Sequence, residues 1–146
     1  MRVALLYVAA QIAGAFIGVA AAHAMFDLPL FFASTHTRTG VAQWWSEVVA
    51  AFGLVLTILL GNRYARERVA VLVASYIAAA YWFTASTSFA NPAVTLARAA
   101  SDTFAGIRPT DTAPFIVAQV VGAVAGMLLY PSLVPRRAKN EPDSLL

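Results

Sequence analysis

Four long apolar stretches dominate the sequence: Val3 to Phe26, Trp44 to Gly61, Val69 to Ala90 and Ala113 to Pro135. Each supplies roughly 20 residues, the length a helix needs to cross about 30 Å of hydrocarbon. Where lipid replaces water, a backbone has to satisfy its own polar groups, so such runs become membrane-spanning helices. Composition agrees: 60% of residues are apolar and 12% charged, against about 45–50% and about 25% in a soluble domain. The expectation is an all-α membrane protein. A net charge of +3 this thinly spread cannot form the basic face of a nucleic-acid binder. The absence of cysteine removes disulfides, thiolate metal sites and cysteine nucleophiles together. His23 and His36 have no ligand partner at helical spacing, so no metal site, cofactor or nucleic-acid partner is expected.

The first stretch has a rival reading, because Met1-Arg2, an apolar run and the small-residue site Ala22-His23-Ala24 mimic a secretory signal. A signal's apolar core spans about 7–15 residues, shorter than this run. An internal repeat also argues for a true span. Ala10-Gln11-Ile12-Ala13-Gly14-Ala15-Phe16-Ile17-Gly18 matches Ala118-Gln119-Val120-Val121-Gly122-Ala123-Val124-Ala125-Gly126 at an offset of 108, with Ala, Gln, Gly, Ala and Gly in register. Repeated spans are the mark of duplicated transporter and channel halves, whose solute sites lie at the repeat interface. Gly14 with Gly18, and Gly122 with Gly126, are the small-residue pairs that let helix backbones approach closely in lipid.

Basic residues set the orientation. Arg2, Arg63, Arg66, Arg68, Arg136, Arg137 and Lys139 fall on one side, and Arg38, Arg98 and Arg108 on the other. The positive-inside rule makes the first side cytoplasmic, with both termini there. The segment Asn91 to Pro109 then lies on the outer side. Asn caps helix N-termini, Pro suits the first helical position and Gly follows many helix ends, so Asn91 to Gly106 is read as a helix of about 14 residues. At about 21 Å it is too short to cross. It fits a re-entrant half-helix whose N-terminus reaches mid-membrane beside a water-filled cavity, and equally a capped helix in an outer loop. In the first case its free N–H groups and positive dipole end repel cations and donate hydrogen bonds to neutral solutes.

These residues resemble the aquaporin, or major intrinsic protein, family of channels. The run Ser88-Phe89-Ala90-Asn91-Pro92-Ala93-Val94-Thr95-Leu96-Ala97-Arg98, followed by Ser101-Asp102-Thr103-Phe104-Ala105-Gly106 and a final span containing Gln119 to Gly126, is similar to the second Asn-Pro-Ala half-helix of a bacterial, aquaglyceroporin-like subset. The resemblance implies an aquaporin-like bundle of four transmembrane helices plus one re-entrant half-helix, the family's third to sixth spans. A position 108 before Asn91 lies upstream of Met1, so the partner Asn-Pro-Ala box and first two spans are outside this sequence. An N-terminally truncated chain is the expectation, organised as a partial transmembrane domain over 1–135 and a polar cytoplasmic tail over 136–146.

Carried over residue by residue, the family's pore motif is Asn91, Pro92 and Ala93. Its constriction falls on Ala79, where water-selective members carry His and glycerol-passing ones Gly, on Ser88, and on Val94, where most members carry Arg. Small or apolar residues there imply a wide filter lacking its guanidinium. Arg98, one turn nearer the outer mouth, is a candidate replacement charge; the alternative is an arginine snorkelling to the interface. Glu47, the acid inside a span, fits the family's buried carboxylate that holds the pore loop rather than a proton relay. Trp44, Trp45, Tyr81, Trp82 and Tyr130 read as interface anchors or packing. The function expected is a passive channel for small neutral solutes: water, glycerol-like polyols or neutral metalloid acids. The resemblance also implies a homotetramer in a bacterial inner membrane. The alternative is a membrane-embedded fragment or subunit without transport of its own. An intramembrane enzyme lacks a nucleophile–base pair.

Overall fold

The computed structural model describes residues 2–135. Among these residues five α-helices follow one another: α1 Arg2–Met25, α2 Val41–Tyr64, α3 Val69–Phe83, α4 Pro92–Arg98 and α5 Thr112–Leu133. Single 3-10 turns at Arg66–Arg68 and Pro109–Asp111 lead into α3 and α5. Among the described residues there is no strand. Three helical runs, Arg2–Met25, Val41–Tyr64 and Pro109–Leu133, are long and apolar enough to cross a membrane. Large apolar side chains on them, such as Leu6, Ile17, Trp45 and Leu128, point outward, as they do in a protein whose solvent is lipid.

The third expected span is corrected. Instead of running on to Ala90, α3 stops at Phe83 after 15 residues, about 22 Å of helix. Its end is set by long-range hydrogen bonds. The Ser86 hydroxyl and the Phe89 and Ala90 N–H groups all donate to the Glu47 carboxylate on α2, which pulls the chain out of helical register. The outer helix is also corrected: α4 has seven residues rather than about 14. Beyond Arg98 the carbonyls of Ala99 and Ala100 accept from Ser34 and Phe32 of the α1–α2 loop, leaving nothing to propagate the helix. The expected tail over 136–146, with Arg136, Arg137 and Lys139, lies outside the described residues.

The strongest packing is α5 along α2, with α3 on the far flank of α2 and α4 between α1 and α5. Two glycines make the α2–α5 approach close. A Cβ at Gly122 would overlap the Val48 carbonyl, and one at Gly126 would sit 3.0 Å from the Phe52 carbonyl oxygen. Gly14 and Gly18 on α1 have no chain atom within 4 Å of an added Cβ. The small core of Phe89, Ile107 and Phe115, with Trp44 and Ala99 against it, sits where α2, α5 and the α3–α4 loop meet.

Candidate functional site

Helix α4 begins as its sequence dictates. Asn91 is extended and its side-chain oxygen accepts from the N–H groups of Ala93 at 2.8 Å and Val94 at 3.3 Å, with Pro92 in the first turn. The loop feeding it, Thr84 to Ala90, is held in an unfavourable conformation: Thr87, Ser88 and Ala90 have φ of 60°, 48° and 48°. Non-glycine residues in this region cost on the order of 1–3 kcal/mol each and persist only where surroundings hold them.

Glu47 does the holding. It is fully buried. One carboxylate oxygen accepts from Ser86 Oγ at 2.6 Å and Phe89 N at 2.9 Å; the other accepts from Ala90 N at 2.9 Å and Gln119 Nε2 at 2.6 Å. All four partners are donors, which suits a carboxylate that only accepts. Gln119 extends the network, donating also to Thr95 Oγ1 at 2.8 Å, and Thr95 donates to the Asn91 carbonyl at 2.9 Å. One buried acid thus ties α2, α5, the strained loop and the first turn of α4 together.

A cavity of about 700 Å³ lies between α1, α4 and the segment after α4. Val94 and Arg98, one turn apart, face it from α4, opposite Gly18 and Val19 of α1. Neither Ala79 nor Ser88 lines it. Ala79 is exposed on α3, and Ser88 is buried with its hydroxyl lacking a partner. The structure therefore brings together Val94 and Arg98 of the sequence-derived candidates, and groups Asn91 with Glu47 through the loop. His23 is buried, its Nδ1 2.9 Å from the Leu30 carbonyl and Nε2 2.8 Å from Ser101 Oγ; His36 is exposed in the α1–α2 loop.

Sequence reasoning missed Arg38. It lies in the α1–α2 loop yet is 5% exposed, donating from Nε to Gly106 O at 2.7 Å, Nη1 to Ser86 O at 2.8 Å and Nη2 to Phe104 O at 2.8 Å. Its Cζ lies 4.8 Å from the Phe89 ring centroid. Burial, and then the nearby Arg98 charge, pull its pKa below the ordinary arginine value, while Glu47 opposes them. Thr37-Arg38-Thr39 carries no motif, and only the fold brings these carbonyls around it.

The family model for the major intrinsic protein matches residues 61–144. The chain belongs to the major intrinsic protein family. It is similar to the aquaglyceroporin AqpS of Rhizobium meliloti (strain 1021), with 62% identity over 123 residues, which cover 84% of this chain and 53% of that protein. The chain spans about half the length of this curated relative. No solved structure matches it. Membership and the apolar helices together make this an integral membrane protein with an all-helical, aquaporin-like fold.

Proposed function

We propose that the chain forms the Asn91-bearing half of a passive channel for small neutral solutes. The observation that carries this is the short helix α4: seven residues, capped by Asn91, its entry loop fixed by a buried carboxylate and its flank open to a cavity of about 700 Å³. Its first-turn N–H groups are taken by Asn91, whose side-chain NH2 is left to donate, and the helix end keeps positive potential, a combination suited to neutral oxygen-bearing molecules and hostile to cations. Val94 in place of a larger charged side chain favours solutes bigger than water, such as glycerol-like polyols or neutral metalloid acids. The name of the relative, aquaglyceroporin, supports the same class. Nothing in this reading calls for catalysis. Both ends of the chain would face the cytoplasm of a bacterial plasma membrane, with four copies assembled.

The test is solute-driven shrinkage of liposomes containing the protein purified from its own membrane. Glycerol entry well above that of protein-free liposomes is expected, and entry at the protein-free rate would refute a channel. A second reading, a subunit that needs a partner to conduct, is favoured by α1. Its Gln11, Gly14 and Gly18 repeat the residues by which α5 grips α2, yet Gln11 is exposed and a Cβ added at either glycine would meet nothing within 4 Å. Flux from the native protein but none from the 146-residue chain alone would establish it.

A further inference from the structure

Four polar side chains line the cavity, Arg98, His23, Ser101 and Thr103; the rest of its wall is apolar side chain and glycine. Arg98 is turned into Tyr81 and Phe89. The other three form one hydrogen-bonded row. His23 Nε2 lies 2.8 Å from Ser101 Oγ, Ser101 Oγ lies 3.1 Å from Thr103 Oγ1, and the Ala105 N–H donates to Thr103 Oγ1 at 3.3 Å. His23 and Ser101 are buried, while Thr103 is half-buried at the wall.

The direction of the row is fixed at its inner end. Nδ1 of His23 lies 2.9 Å from the Leu30 carbonyl, which can only accept, so a neutral ring carries its hydrogen on Nδ1. Nε2 then accepts, and the single hydrogen of the Ser101 hydroxyl is committed to it. The contact between Ser101 and Thr103 is therefore made by Thr103 donating. Ala105 N–H occupies one of the two lone pairs of Thr103 Oγ1, so Thr103 shows the cavity the other, an acceptor.

A proton added to Nε2 reverses the row. Nε2–H donates to Ser101 Oγ, and the buried Ser101 hydrogen turns to the acceptor it already touches, Thr103 Oγ1. Thr103 now accepts from both Ser101 and Ala105 and swings its own hydrogen into the cavity. No O–H bond breaks; each hydroxyl hydrogen rotates about its own oxygen. The wall changes from acceptor to donor, with an imidazolium behind it.

No carboxylate pairs with that charge among the described residues, since His23 is bonded to Leu30 and Ser101. His23 stands in the last turn of α1, at the negative end of the helix dipole. On α4, the cavity wall carries the cation Arg98. After α4, Asp102 adjoins Ser101 but turns its oxygens to Ser34 and Thr35. In the α1–α2 loop, Asp27 and His36 are exposed and Arg38 is held against Phe89. A charge set behind an otherwise apolar wall holds water, which a passing solute has to displace.

We infer that His23, Ser101 and Thr103 form a proton-operated hydrogen-bond switch on the cavity wall, permissive to hydroxylated neutral solutes when His23 is neutral and restrictive when it is charged. This rests on the channel reading above and adds to it a response to pH over the imidazole range, about pH 5–8.

The experiment follows glycerol entry by light scattering into liposomes holding the protein purified from its own membrane, at about pH 5.5 and about pH 7.5. Glycerol is uncharged at both, and the rate of protein-free liposomes is subtracted. Wild-type entry is expected to be about threefold to tenfold slower at the lower pH, the effect of one or two firmly held waters. His23→Gln removes the titrating ring, and Thr103→Val removes the outlet for the Ser101 hydrogen. Each should bring the ratio of the two rates below about twofold, while His36→Gln keeps the wild-type ratio. Equal wild-type rates at the two pH values, a wild-type ratio retained in His23→Gln or Thr103→Val, or its loss in His36→Gln would overturn the switch and leave the channel standing. Where His23→Gln yields no folded protein, Thr103→Val decides, being a change of similar shape at a half-buried position. A wild type that passes no glycerol at either pH overturns the channel reading, and the switch with it.

Discussion

Replacing Glu47 by Gln changes almost no volume, so its effect isolates the acceptors that the carboxylate provides. The substituted amide can keep one carbonyl oxygen for Ser86 Oγ and Phe89 N. Its NH2 group then faces two donors, Ala90 N and Gln119 Nε2. Gln119 has a remedy, because its side-chain oxygen is buried without a partner and could accept from the new NH2 after a flip, at the expense of its bond to Thr95. Ala90 has none. Its N–H stays buried and unpaired, costing about 1–3 kcal/mol, and the two retained bonds lose charge assistance at about 1 kcal/mol each. Glu47→Gln should therefore destabilise the fold by about 3–5 kcal/mol. Reversible unfolding in mixed detergent–SDS micelles, followed by tryptophan fluorescence, measures it. Hydrogen exchange at Phe89 and Ala90 should rise as well, because the left-handed residues Thr87, Ser88 and Ala90 lose the contacts that oppose their strain. A Glu47→Gln protein within about 1 kcal/mol of wild type, with unchanged exchange there, would refute the claim that this carboxylate holds the loop.

Asn91→Ala removes the acceptor for the Ala93 and Val94 N–H groups and should cost about 1–2 kcal/mol in the same unfolding assay, with a loss of glycerol entry in liposomes. Gly122→Val pushes a side chain into the Val48 carbonyl, so α5 must lift off α2; a loss of about 1–3 kcal/mol or more is expected, and wild-type stability would mean that the two helices are not in contact. Asp102 is held below the usual carboxylate range, first by the Thr35 backbone N–H and then by the Thr35 hydroxyl. A depressed carboxylate contributes while ionised, above its unfolded pKa, and the contribution is lost as pH falls through the lower folded value. Exchange of the Thr35 amide should therefore quicken only on acidification below the ordinary carboxylate range, and exchange that stays flat below it would contradict the tether.

The three long helices were legible because each apolar run is its own evidence: lipid asks nothing of α1, α2 and α5 beyond length and apolarity. The start of α4 was equally plain, since Asn91 and Pro92 act on their own backbone. What could not be read were the two helix ends fixed from far away in sequence. Phe83 ends α3 because Glu47, on a different helix, captures Ser86, Phe89 and Ala90. Arg98 ends α4 because Phe32 and Ser34 take the next carbonyls. Arg38 was invisible for the same reason, its three carbonyl partners coming from Ser86, Phe104 and Gly106. Counting Arg38 as one charge on the outer side gave no sign that it is buried against Phe89.

The repeat supplies the last step. In α5, Gln119 bonds to Glu47 and Gly122 lets the backbone of α2 come close, so this face of α5 is built to receive a helix bearing a buried acid. Helix α1 carries the same face, Gln11 and Gly14, at an offset of 108. If that face is covered in the working protein as the α5 face is covered by α2, then Gly14→Leu in the native protein will act like Gly122→Val and lower stability by about 1–3 kcal/mol. If it stays open to lipid, the leucine meets nothing and improves on glycine's helix propensity by up to about 1 kcal/mol. The two outcomes differ in sign, so a single unfolding titration of Gly14→Leu, made once on the protein from its own membrane and once on the 146-residue chain, decides whether α1 has a partner and whether this chain alone provides it. Destabilisation in the first and stabilisation in the second would identify α1 as the contact to the other half of the pore; stabilisation in both would remove that role from Gln11, Gly14 and Gly18.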